Sequence, residues 1–111
     1  MDIHRLVPEL AVTGQLRADD LAEIAANGFR PVITNRPDGE EPSQPAAAEL
    51  ERAARAAGLE YRHIPVTPGE LDDRDARRFG EVVRTEGPVL AFCRTGNRSA
   101  KLWARALELE G

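Results

Sequence analysis

A chain of 111 residues is the size of one domain, and 41% hydrophobic with 31% charged residues is the balance of an ordinary water-exposed globule. The net charge of −4 argues against nucleic acid and anionic membrane surfaces as partners. No apolar run approaches the ~18 residues of a membrane span and residues 1–10 carry no signal-peptide core, so a cytoplasmic location is expected.

Along the chain, residues 3–7 and 10–13 read as two short strands joined at Pro8 and Glu9. Leu21, Ile24, Ala25 and Gly28 follow the spacing of an amphipathic helix, with Asp19 and Asp20 suited to its first turn and Gly28 to its stop. Residues 31–35 read as a buried strand, followed by the turn signal Pro37, Asp38, Gly39. Ser43 is the expected cap of a helix over 44–57, whose apolar stripe is Ala47, Leu50, Ala54 and Ala57 and in which Glu51 can pair with Arg55.

A strand cut by Pro65 follows over 61–66. A helix over 72–85 then turns Ala76, Phe79, Val82 and Val83 inward. Val89 to Phe92 is fully apolar, as in a central strand. The last helix is expected over 99–110, with Leu102, Trp103, Ala106 and Leu107 inward. Alternating strands and helices predict a single α/β domain with a mainly parallel central sheet flanked by helices. Sites in such folds form beyond the carboxyl ends of the strands, which is where Cys93 falls.

Cys93 is the only cysteine, so it has no internal disulfide partner. It lies in the one locally basic segment: residues 87–107 hold Arg94, Arg98, Lys101 and Arg105 and no acidic residue. The loop leads into a helix N-terminus, whose free amides and dipole favour an anion. Gly96 permits a turn that aims successive amides inward. Arg98 can place two hydrogen bonds on an oxyanion. Together these features lower a thiol pKa from about 8.5 into the ~3.5–7.5 range. Cys93 and Arg98 are therefore the candidate catalytic residues, with Arg94, Thr95, Gly96, Asn97 and Ser99 as the substrate-binding loop. Amides from Arg94 to Arg98 are expected to hold the anion, and Ser99 to hydrogen-bond the thiolate. No His, Asp or Glu spacing suggests a metal, and no cofactor is implied.

The stretch from Phe92 to Lys101 resembles the active-site loop of single-domain rhodaneses, which is Cys, four residues, Arg. This implies that Cys93 carries a sulfane sulfur as a persulfide, taken from a small anionic donor. Over residues 2–108 the chain is similar to the phosphatase-like domain of beta-lactamase-hydrolase-like proteins. The residues that say so are Thr13-Gly14-Gln15-Leu16, Gly28-Phe29, the stretch Asn35 to Pro42, His63 to Gly69 and the Cys93 loop. That resemblance implies a dual-specificity or tyrosine-phosphatase-like fold, and a persulfide-dioxygenase-type enzyme as a partner.

Phosphatases of this type place five residues between Cys and Arg, so Ser99 stands where their Arg would be. Their general acid is an Asp after the Ile-Pro strand, where Pro68 falls; Glu70, Asp72 and Asp73 are nearby, the latter two suited to capping a helix. The expected function is a rhodanese-like sulfurtransferase. The alternatives are a phosphatase acting on a phosphoryl substrate through the same Cys93, and a non-catalytic anion-binding module. Arg36 is read as a rim residue or a solvated loop arginine paired with Glu40 or Glu41. His63 is read as structural.

Overall fold

The computed structural model describes residues 1–110 and has strands β1 (His4–Val7), β2 (Leu10–Thr13), β3 (Pro31–Thr34), β4 (Glu60–His63) and β5 (Val89–Phe92). Its helices are α1 (Leu21–Ala26), α2 (Ala47–Ala56), α3 (Asp73–Glu86) and α4 (Asn97–Glu110). The sheet order is β1-β2-β5-β3-β4, with β1 antiparallel to β2 and the other pairings parallel. The last strand in the chain is therefore the central one, and every residue of β5 is buried.

Strand residues alternate between two apolar layers because successive side chains leave opposite faces of a strand. Leu10, Val12, Ile33, Val89 and Ala91 meet Phe79, Val83 and Leu102 of α3 and α4 on one face. Ala11, Val32, Leu90 and Phe92 meet Leu21, Ile24 and Leu50 of α1 and α2 on the other. Both faces covered by helices is what a parallel sheet requires, and it leaves the carboxyl-end edge of β2, β3, β4 and β5 open for a site.

Several expected boundaries shift for local reasons. Asp38, not Ser43, caps α2: its Oδ1 accepts from the Ala47 amide at 2.8 Å, so the Pro37–Gly39 turn folds back and the helix starts three residues later than expected. Asp72 caps α3, accepting from the Asp75 amide at 2.8 Å. Helix α4 starts at Asn97 rather than Ser99. Leu107 is 47% exposed; Leu109 packs against the core instead, with Trp103 half-buried beside it. The expected Glu51–Arg55 pair forms at 3.0 Å.

Candidate active site

Cys93 directly follows the central strand, and its loop closes onto the first turn of α4. The residue is only 1% exposed, yet its sulfur is not sealed in hydrocarbon. The Gly96 amide donates to Sγ at 3.0 Å. Burial alone pushes the thiol pKa up. Main-chain amides of Ser99, Thr95, Arg98 and Gly96 more than offset it, and hold the thiol below its ordinary value. The ring loses two expected members, Arg94 and Asn97, and gains the Ser99 amide. The Asn97 amide turns to Thr95 Oγ1 at 3.3 Å, and Arg94 is not among the amides that hold the sulfur. Gly96 has φ +96°, the left-handed conformation that aims these amides inward.

The end of β2 supports this loop from below. The Gln15 amide donates to the Arg94 carbonyl at 3.3 Å, and a side chain on Gly14 would meet that carbonyl at 3.0 Å. The stretch Thr13 to Leu16 is thus a seat for the Cys93 loop, with Leu16 fully buried beneath it.

Ser99 is fully buried, and its hydroxyl does not serve the thiolate as expected. Its Oγ donates to Asn35 Oδ1 at 2.8 Å, while Asn35 Nδ2 donates to the Ile64 carbonyl at 2.9 Å. Only the main-chain amide of Ser99 reaches the sulfur. This buried chain ties the start of α4 to the carboxyl ends of β3 and β4.

Arg98 is 12% exposed, so it is not turned out to water. Its fork is spent on Glu40, with Nη1 to Oε2 at 2.7 Å and Nη2 to Oε1 at 2.9 Å, and Nη1 also donates to the Val66 carbonyl at 2.9 Å. Glu40 first and the Cys93 thiolate after it keep the guanidinium charged, against the opposing effect of burial. Glu40 in turn is held well ionised, chiefly by the hydrogen bonds from Arg98 and also by Arg36.

Arg36 is buried rather than solvated. It donates to Glu40 at 2.8 Å, Gln15 at 2.9 Å and Glu41 at 2.7 Å. Glu40 was missed as a site residue because its partner Arg98 stands 58 positions away. The adjacent Glu40 and Glu41 after a turn signal are the only trace it leaves in the sequence.

The loop after β4 forms the opposite wall. Together with the Cys93 loop it encloses a cavity of about 400 Å³, lined among others by Val66, Pro68, Leu71, Thr95, Asn97, Arg98 and Lys101. The side chains of Arg94, Thr95 and Asn97 are exposed at its mouth. Of the three nearby carboxylates, Asp72 is the α3 cap and Asp73 pairs with Arg105 at 2.8 Å. Glu70 is exposed and makes no ion pair among the described residues. His63 is exposed on β4 and does not join the loop. Among the described residues no group of three His, Cys, Asp or Glu is placed to hold a metal ion, and no helix is long and apolar enough to cross a membrane.

Comparison with known proteins places this geometry. The family model for the beta-lactamase hydrolase-like protein, phosphatase-like domain, matches residues 2–109. A beta-lactamase hydrolase-like protein of Agrobacterium fabrum is 38% identical over 112 residues, covering 100% of this chain and 26% of that protein. The chain thus spans about a quarter of the length of the curated relatives it matches. The crystal structure of a proposed phosphatase of Neisseria meningitidis superposes with a TM-score of 0.90 at 38% identity, over 100% of this chain and 80% of that one. P. aeruginosa TpbA, crystallised as a Cys-to-Ser variant with pTyr, shares the fold at 20% identity and a TM-score of 0.67, over 92% of this chain and 59% of that one.

Proposed function

Because the chain belongs to the family of phosphatase-like domains of beta-lactamase hydrolase-like proteins, we propose that it is a cysteine-dependent phosphatase with Cys93 as its nucleophile. The observation that carries this reading is the Cys93 sulfur set in a ring of main-chain amides, which hold its thiol below the ordinary value, where the loop after β5 meets the first turn of α4. The likeness in fold to phosphatases, one of them crystallised with pTyr, favours phosphoryl chemistry over the sulfur transfer expected from loop length.

In the first step the thiolate attacks phosphorus, the S–P bond forms, and the bond to the ester oxygen breaks. That oxygen leaves with the electron pair and takes a proton from solvent water. In the second step water attacks the phosphocysteine, the S–P bond breaks, inorganic phosphate departs and the thiolate returns. Loop amides stabilise the equatorial oxygens as charge develops on them. Arg98, charged and fixed by Glu40, adds positive potential beside the reacting group. Glu40 is held ionised by two arginines and therefore serves to orient Arg98 rather than to donate the proton.

One observation favours a second reading, persulfide transfer. Only four residues separate Cys93 from Arg98, and Asp72 and Asp73 are committed to a helix cap and an ion pair. In that reaction the thiolate takes the outer sulfur of thiosulfate, the S–S bond breaks, and sulfite leaves with the electron pair without needing an acid.

Intact mass spectrometry separates the two. A phosphoryl adduct trapped from p-nitrophenyl phosphate, absent in Cys93→Ser, supports the phosphatase. One added sulfur after thiosulfate, removed by cyanide, with no turnover of the phosphate ester, overturns it in favour of sulfur transfer.

A further inference from the structure

We propose that the cavity beside the Cys93 loop selects phosphomonoesters that carry a second anionic group, and that Lys101 reads that group. The inference rests on the phosphatase reading and names its substrate class. The cavity, at about 400 Å³, has room for a ring-sized ester. Its wall is divided chemically. Val66, Pro68 and Leu71 form an apolar side contributed by the loop after β4. Arg94, Arg98 and Lys101 form a cationic side contributed by the Cys93 loop and α4, and among the described residues no carboxylate lines the cavity.

The three cations are not equivalent. The fork of Arg98 is taken up by Glu40, and Arg94 approaches Glu41 at 3.2 Å. Lys101 makes no ion pair among the described residues, whereas the two arginines beside it in the cavity wall both do. It lies one helical turn beyond Asn97 on the same face of α4, where it lines the cavity. A phosphomonoester whose organic body is uncharged leaves that charge without a partner. An ester with a carboxylate or second phosphoryl group pairs it, while the ester's body rests on Pro68 and Leu71.

The test compares phenyl phosphate with its 3- and 4-carboxylated analogues at low salt. For the wild-type chain, kcat/KM is expected to favour at least one carboxylated ester about five-fold, a preference that fades with added salt. Lys101→Ala should abolish the ratio and Lys101→Arg should restore it. A merely structural role for Lys101 would lower all esters alike and leave the ratio intact, which overturns the inference. Equilibrium binding of the same esters to Cys93→Ser is measured in parallel. If no ester is turned over but the carboxylated one still binds more tightly in a Lys101-dependent way, the phosphatase reading falls and the selective pocket stands. Equal binding of all three esters sinks the selective pocket whatever the turnover.

Discussion

Replacing Glu40 with Gln measures how far the site depends on a fixed Arg98. The native guanidinium makes two hydrogen bonds to the carboxylate, at 2.7 and 2.9 Å, and one to the Val66 carbonyl at 2.9 Å. Gln keeps one oxygen acceptor and turns an amide nitrogen toward the other guanidinium nitrogen. A bidentate, charge-assisted pair becomes a single neutral-acceptor bond. A hydrogen bond to a charged group contributes ~1.5–3 kcal/mol. Glu40 is 20% exposed, which puts the loss near the low end, about 2 kcal/mol. That converts to about a thirty-fold drop in kcat/KM on p-nitrophenyl phosphate.

The sign of a second readout separates orientation from collapse. Removing a negative charge leaves Arg98 less neutralised, so the Cys93 thiolate should ionise at the same pH or lower. Arg36 keeps Glu41 and Gln15, so the fold should survive with a modest loss of thermal stability. Slower turnover with an unchanged or lowered thiolate pKa is the expected result. A change under about three-fold, or a raised thiolate pKa, would refute the positioning role.

Other substitutions probe separate links. Gly96→Ala forces a side chain into φ +96° with its Cβ 3.4 Å from the Thr13 carbonyl; it should cost about 1–2 kcal/mol in denaturant titrations and raise the pH at which Cys93 reacts with iodoacetamide. Gly80→Ala would set its Cβ 2.9 Å from the Ala106 Cβ between α3 and α4, and overpacking of about 1–3 kcal/mol should appear as a lowered Tm. The Tyr61 hydroxyl is buried with no hydrogen-bond partner among the described residues, so Tyr61→Phe should leave Tm unchanged or raise it, and a loss above about 1 kcal/mol would refute that reading. Because Arg98 and Arg36 hold the Glu40 pKa below its ordinary 4.5, its contribution to stability is fully present above that pH. Acid unfolding should therefore begin earlier for the wild type than for Glu40→Gln once each curve is scaled to its own neutral-pH stability.

Much of the architecture is legible in the residues, because periodicity and helix stops are local signals. Gly28 follows its helix where expected, and the apolar run Val89–Phe92 is the centre of the sheet. The Cys93 ring is also local, spanning seven residues from the sulfur to the Ser99 amide. What stays hidden depends on distant segments meeting. The pairing of Arg36 with Glu40 and Glu41 is legible from their nearness in the chain, but its burial is not, because Gln15, 21 positions earlier, takes another of its donors. Ser99 looks like a partner for the thiolate until Asn35, 64 positions earlier, takes its hydroxyl proton. Asp38 displaces Ser43 as a cap because the turn, not the helix sequence, decides which oxygen arrives at the first amide.

The amides that hold the sulfur are ones that every residue type except proline possesses. Acidity at Cys93 is therefore a property of the chain's path, pinned by Gly14 and Gly96, and largely indifferent to what hangs off Arg94, Asn97 or Lys101. Those outward groups are free to be exchanged without disarming the nucleophile. A chemist wishing to redirect this scaffold toward other anions could vary the three of them and leave the reactive atom's ionisation where it stands.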